Sequence, residues 1–329
     1  MADSAFPVRI LVAGAGAFGM EHIKRLAARA DVRLVGVADR NPAALDRVRS
    51  AYGGAALHAE ALRMVEDVEA DAVVVATPAA SHIEIATRAI GRGLPVLLEK
   101  PVAVSAKDAV ELAARQTRGA FVLPGHVLRF SRAHEKLVEI LRSGKIGAPL
   151  YVNSRRYRDE SHALNYADAD AILTTLVHDI DLAQWIAGGE FRSAFARRAG
   201  EPSPRSFTAV SAVTAGGIIC DLRTTWTFPG SNIPPDRLEV VGESVSVALV
   251  VGEGLRLYSG GKRSDLPLVE GDDALTNEHD HFLDCVRDRK LAPALGLPQA
   301  IAGLRLADAA MESLRLGREI AVTIQDVRM

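Results

Sequence analysis

The sequence predicts an α/β protein in two unlike halves. Residues 1–124 read as a doubly wound parallel sheet, and residues 125–329 as an α+β domain with an open, largely antiparallel sheet. Three observations carry this reading. Short aliphatic runs alternate with helical patterns in the first half. A glycine-rich turn, Gly14-Ala15-Gly16-Ala17-Phe18-Gly19, stands between the first run and the first helical pattern. Past Gly125, runs rich in Val, Thr and Ile are broken by Gly and Pro pairs, the rhythm of antiparallel strands joined by turns.

In order, residues 8–13 read as a buried strand and 18–30 as a helix with Ile23, Leu26 and Ala27 on one face. Residues 33–38 form a second strand, after which Asn41-Pro42 supplies an N-cap and a proline suited to a first helical turn. Buried runs follow at 72–76, 95–98 and 120–123, each pair separated by a helix-like stretch. Continuous apolar strands alternating with helices predict a parallel sheet covered on both faces. In the second half, helices are expected at 133–143, 169–186, 277–289 and 299–316. A strand is expected at 150–156, with several more between 207 and 258, broken at Gly216-Gly217, Pro229-Gly230 and Pro234-Pro235.

The 329 residues exceed one typical core and suit two domains of about 150 residues each. The net charge of −2, with no basic patch among aromatics, gives no electrostatic pull toward nucleic acid. A 48% apolar composition argues against disorder. No apolar run approaches the ~18 residues that span a bilayer, so no membrane contact is expected. Residues 1–7 carry Asp3 and no basic, apolar leader, so no secretory signal is expected. Cys220 and Cys285 lie far apart and form neither a metal nor a redox motif, which fits a reduced, cytoplasmic setting.

In G-x-G-x-x-G, Gly14 permits the tight turn, Gly16 lets the backbone approach a pyrophosphate, and Gly19 lets the helix pack against the strand. The N–H groups that open the helix, at Ala17 and Phe18, then attract the diphosphate. Set between a strand and a helix, the motif is the Rossmann dinucleotide fingerprint. Asp39 ends the second strand, where a carboxylate accepts from the adenosine ribose and disfavours a 2′-phosphate. NAD is therefore expected, while the neighbouring Arg40 leaves NADP open.

Further motifs follow: Ala76-Thr77-Pro78-Ala79-Ala80-Ser81-His82, Glu99-Lys100-Pro101, Leu141-Arg142-Ser143-Gly144-Lys145-Ile146-Gly147 and His178-Asp179-Ile180-Asp181. With the glycine turn, and in this order, they resemble the glucose–fructose oxidoreductase / inositol dehydrogenase / MocA family over nearly the whole chain. The resemblance implies a nicotinamide-dependent oxidoreductase acting on a hydroxyl/carbonyl pair of a sugar, inositol or related polyol. It implies a cofactor domain lined by Thr77, Pro78, His82, Glu99 and Lys100. It also implies a second domain whose sheet makes the contacts of a homodimer or homotetramer.

Lys100, at a strand end, can polarise the reacting oxygen and stabilise a developing alkoxide. Glu99 is expected to orient Lys100 or to contact the nicotinamide side. Pro101 would fix the local backbone, with a cis bond left open. His178 falls at the family's acid/base histidine and can accept the hydroxyl proton, with Asp181 three residues on to orient its ring. The resemblance also implies an aspartate four residues before this histidine. Thr174 stands there; it can hydrogen-bond a substrate but cannot act as a carboxylate base, and Asp168 and Asp170 do not replace it by spacing. Arg129 is expected either to bind an anionic substrate or to form an ion pair. Tyr157 is expected to contact substrate, with strand alternation sending it and Arg155 to one sheet face and Arg156 and Arg158 to the other. The polar stretch 159–170 reads as a loop over the cleft, with His162 facing solvent. His279 and His281 read as solvated helix residues rather than a metal pair. Thr174 motivates one alternative, an inert NAD-binding sensor; a second is a lyase or glycosidase using transient oxidation on the same fold.

Overall fold

The computed structural model describes residues 6–166, 169–200, 206–230, 232–268, 270–291 and 295–323. In chain order the first elements are β1 (Val8–Ala13), α1 (Ala17–Ala27), β2 (Val32–Ala38), α2 (Pro42–Ala51), β3 (Ala56–His58), α3 (Ala61–Asp67), β4 (Ala72–Val75), α4 (His82–Gly91), β5 (Val96–Glu99), α5 (Ala106–Ala113) and β6 (Val122–Gly125). Then come α6 (Arg132–Arg142), β7 (Pro149–Asp159), α7 (Glu160–Asn165), α8 (Val177–Ala187), β8 (Phe191–Ala199), β9 (Phe207–Thr214) and β10 (Ile219–Phe228). The chain closes with β11 (Arg237–Gly242), β12 (Ser246–Val250), β13 (Gly254–Ser259), β14 (Lys262–Leu266), α9 (Ala274–Asp288), α10 (Leu297–Leu316) and β15 (Ile320–Ala321).

Two compact units emerge. Among the described residues, the first takes 6–125 and 275–301, and the second takes 126–274 and 302–323. The sequence reading cuts the chain once, at 124/125, whereas contacts group α9 with the first sheet.

The first unit holds a six-stranded parallel sheet in the order β3-β2-β1-β4-β5-β6. All of β4 and β5 is buried, as expected of strands covered on both faces. The order reverses between β1 and β4. In an open α/β sheet, the crevice at the carboxyl ends of the strands beside such a reversal is the ligand site.

The second unit holds a nine-stranded sheet, β14-β13-β12-β11-β7-β10-β9-β8-β15, antiparallel except for the central β7–β10 pair. Strand alternation divides β7: Val152, Ser154 and Arg156 are buried, while Tyr151, Asn153, Arg155 and Tyr157 occupy the other face. The buried face packs with α6, α8 and α10 in one core, built from residues such as Leu137, Ile180, Leu306, Val152, Leu222 and Val240. The other face exposes Phe207, Ile219 and Val241.

Several expectations change in detail. The helix read at 169–186 is a π-helical turn, Ile172–Leu176, followed by α8. The stretch read as a loop at 159–170 begins with α7, capped by Asp159, whose carboxylate accepts from Ser161 N and His162 N. Strand β8 is absent from the sequence expectations, because a register shift between Phe191 and Ser193 breaks the alternation of its buried Phe191, Ala194 and Ala196 and its other face is rich in Arg. Among the described residues, no helix is long and apolar enough to cross a membrane.

Candidate active site

The glycine turn lies at the carboxyl end of β1. Gly14 has φ +98°, and a Cβ there would meet Ala76 O at 2.5 Å. A Cβ on Gly19 would sit 2.1 Å from Gly14 O. These two glycines are required by the fold itself. Gly16 differs: a Cβ there would meet nothing within 4 Å, so its smallness serves the space in front of the turn. Gly16 caps α1 without a side-chain acceptor, and the first turn holds no acidic residue. The opening N–H groups of α1 have no intrahelical acceptor, and Ala17 and Phe18 are exposed around them. An anion is the natural ligand of such a helix end.

Asp39 stands beside this cradle. Its carboxylate accepts from Ala15 N at 2.7 Å and from Asn41 N at 2.8 Å, which ties the end of β2 to the glycine turn. Asn41 in turn caps α2 by accepting from Ala43 N. Arg40 is exposed. An open Gly16, unspent N–H groups and a fixed carboxylate together fit the diphosphate and ribose of a dinucleotide.

Beyond β4, the Thr77 hydroxyl accepts from Ser81 Oγ at 2.8 Å, and Pro78 is exposed. His82, expected on the cofactor side, is buried instead. Its Nε2 lies 2.7 Å from Thr77 O and its Nδ1 2.9 Å from Pro101 O, so the ring braces the loops after β4 and β5 against each other. Burial lowers its pKa against the pull of these two carbonyls.

Glu99 and Lys100 end β5, and the Lys100–Pro101 peptide is cis. Glu99 is buried; Oε2 accepts from Lys100 N at 3.1 Å and Oε1 meets His22 Nε2 at 3.0 Å. Lys100 itself is half-buried at the carboxyl edge of the sheet. His279, expected to be solvated, is buried, with Nε2 at 2.8 Å from His22 Nδ1. His279 and His281, at i and i+2, lie on different faces of α9 as expected, and α9 turns His279 inward.

In the second unit, α8 is held at two points. Asp179 is buried against β7, accepting from Ser154 Oγ at 2.5 Å and from Arg156 Nε and Nη2 at 3.1 Å each. Arg156 also donates to Asp236 at 2.5 Å. Asp181, two residues on and so on nearly the opposite side of the helix, accepts a two-pronged bond from Arg129, Nε at 2.8 Å and Nη2 at 2.7 Å. The Arg129 guanidinium also lies 5.5 Å from the Trp185 ring centre. With both aspartates turned inward, Thr174 and His178 are left half-buried among buried neighbours. The Thr174 hydroxyl donates to Asp170 O at 2.9 Å, so toward a ligand it acts as an acceptor. Asp170 itself pairs with Arg198 at 2.8 Å.

These contacts correct the expectations for Asp181, Tyr157 and His162, and give Arg129 the second of its two expected roles. Asp181 is committed to Arg129 rather than to His178, and Arg129 takes the ion-pair role rather than that of an open anion receptor. Tyr157 lies on the sheet face opposite Arg156 and α8. It is stacked on Phe228 at 5.4 Å with Arg155 over its ring at 5.9 Å, and is not brought together with His178. His162 packs edge-on to Trp226 at 4.8 Å rather than facing solvent. Asp168 lies outside the described residues.

A glycine cradle at the switch point of a 3-2-1-4-5-6 sheet marks the first unit as a dinucleotide-binding domain. Residues 8–126 match the oxidoreductase family with an NAD-binding Rossmann fold, and residues 134–248 match the GFO/IDH/MocA C-terminal domain. The chain belongs to the GFO/IDH/MocA family. It is 31% identical over 335 residues to an inositol 2-dehydrogenase of Acidothermus cellulolyticus, covering 97% of this chain and 96% of that one. It is 31% identical over 251 residues to inositol 2-dehydrogenase 2 of Saccharopolyspora erythraea, covering 74% of this chain and 73% of the relative. In fold it is similar to the crystal structure of myo-inositol 2-dehydrogenase from Lactobacillus plantarum, with TM-score 0.85 at 20% identity over 96% of this chain and 100% of that one. It is thus an oxidoreductase with an NAD-binding Rossmann fold.

Proposed function

We propose that the substrate is an inositol or a closely related cyclic sugar alcohol, oxidised at one ring hydroxyl in the cytoplasm. The names of the relatives support the substrate class, and the open Gly16 cradle beside Asp39 is the observation that carries the cofactor side. Gly14, Gly16, Ala17, Phe18 and Gly19 would hold the diphosphate and Asp39 the adenosine ribose, with Thr77, Pro78, Glu99 and Lys100 toward the nicotinamide. When bound, the nicotinamide supplies the hydride acceptor.

Lys100 is assigned the role of polarising cation: its ammonium stabilises negative charge as it develops on the substrate oxygen. His178 is assigned the proton, since an imidazole titrates near neutral pH and can take it at a ring nitrogen. Thr174 accepts a hydrogen bond from a second substrate hydroxyl and cannot share the proton. Proton acceptance on α8 therefore falls to His178 alone. Arg129 and Asp181 support this helix from within.

We further propose that the exposed sheet face with Phe207, Ile219 and Val241 makes the contacts of a homodimer or homotetramer. Light scattering on wild type and Ile219→Asp checks this: the variant should be smaller, and an unchanged mass argues against the face. The substrate proposal is tested by a panel of inositols, aldoses and acyclic polyols with NAD. Turnover on a cyclic polyol supports it, and turnover confined to acyclic compounds overturns it.

A further inference from the structure

Beneath Lys100, the first unit buries a chain of polar groups that the proposed chemistry does not use. His22 lies on α1, three residues past Gly19. Its Nε2 meets Glu99 Oε1 at 3.0 Å and its Nδ1 meets His279 Nε2 at 2.8 Å, so the chain joins α1, β5 and α9. Exposures are 0% for His22, 1% for His279, 5% for Glu99 and 0% for Glu278, the neighbour of His279 on α9. For His22, His279 and Glu99, hydrogen bonds to one another replace the lost solvent.

The chemistry orders the protons. An ionised carboxylate only accepts, so Glu99 requires a proton on His22 Nε2. One proton then bridges His22 Nδ1 and His279 Nε2. The second Glu99 oxygen accepts from Lys100 N at 3.1 Å. Packing leaves Glu99 little choice of rotamer: a Cβ on Gly125 of β6 would lie 2.9 Å from Oε1, so this site admits the carboxylate only because Gly125 has none. Glu278 has no hydrogen-bond partner among the described residues, and burial together with the charge of Glu99 raises its carboxyl well above the ordinary range. Phe18, in the first turn of α1, packs edge-on to His22 at 5.2 Å, so the ring is held from the cradle side as well.

We propose that His22 and His279 are positioning residues for Lys100: they lock Glu99 in the rotamer that holds the Lys100 amide, and through α1 they couple that lysine to the Gly16 cradle. This rests on Lys100 being the polarising cation assigned above. Displacing a reacting group by about 1 Å costs on the order of 100-fold in rate, so the effect belongs in kcat. Gln presents an amide N–H near the place of imidazole Nε2, whereas Leu presents none.

The experiment compares His22→Leu, His22→Gln and Lys100→Ala, alone and combined, in the full chain. It reads kcat, polyol KM, the NAD Kd by calorimetry and Tm. The expected result is a kcat loss of about 100-fold in His22→Leu with polyol KM changed less than about threefold, and recovery of most of it in His22→Gln. In the Lys100→Ala background, His22→Leu should cost little more, because both changes remove one function. Nitrogen NMR of the wild-type histidines, which needs no variant to fold well, should show His22 protonated at Nε2. An inactive Lys100→Ala beside a fully active His22→Leu overturns the positioning role alone, as does an unprotonated Nε2. A fully active Lys100→Ala overturns the lysine assignment and this inference with it.

Discussion

The Arg129 guanidinium forks onto the Asp181 carboxylate with bonds of 2.8 and 2.7 Å, and both side chains are buried. Such a pair is costly to break and inexpensive to replace whole. Arg129→Met should lower stability by about 3–5 kcal/mol, because it leaves Asp181 charged in the interior. Joint replacement by Met and Leu should recover much of that. Denaturant titration of the two variants checks it, and equal losses in single and double variants would count against the pair.

The glycine turn separates fold from binding. Gly14→Ala should cost of order 1–3 kcal/mol from backbone strain alone, and more from the approach to Ala76 O. Gly16→Val should leave Tm near wild type and abolish measurable NAD binding, since its side chain enters open space. Calorimetry with NAD and thermal melting on both variants distinguish the two roles.

Asp39 is predicted to set cofactor choice. Asp39→Asn keeps one acceptor oxygen for two N–H groups and removes the charge. NAD affinity should fall about 10- to 100-fold, the worth of a charge-assisted bond. The preference over NADP should narrow, with exposed Arg40 available to a 2′-phosphate. Parallel Kd measurements for both cofactors test this.

Two buried groups shape stability against pH in opposite directions. Burial, with the nearby Arg156 charge, lowers the pKa of His134 to about 3 from 6.5. Between these values the unfolded chain binds a proton that the native ring does not. Stability should therefore fall as pH drops through that window, by up to about 1.4 kcal/mol per unit. His134→Gln should flatten this limb. Glu278 behaves conversely: the native carboxyl keeps its proton above the ordinary value of 4.5, so stability declines as pH rises past it. Glu278→Gln should remove that decline, and urea titrations across the pH range read both.

Much of the first unit was legible because its signals are local. An apolar run, a glycine turn and a carboxylate at the next strand end lie within residues 8–39, and the parallel sheet follows from repetition of that pattern. The second unit was read more coarsely. Strand β8 has its alternation broken by the register shift between Phe191 and Ser193 and carries Arg192, Arg197 and Arg198, and β15 spans only Ile320–Ala321. Side-chain pairing was the least legible. Arg129 and Asp181 are 52 positions apart, and His22 and His279 are 257 apart. No spacing rule joins such partners; only the folded sheet and helices do. The same holds for Tyr157, whose face was correctly separated from that of Arg156, while which face meets α8 depends on Asp179.

The proposed chemistry stands on Lys100 acting on the substrate oxygen of a polyol oxidised with NAD. Its most direct test is the rate of reduced-nicotinamide formation from NAD and an inositol by Lys100→Ala, with NAD Kd measured on the same preparation. Turnover should fall about 100- to 1,000-fold, the worth of one donor placed at a developing oxyanion, with NAD still bound. Wild-type turnover in that variant would contradict it.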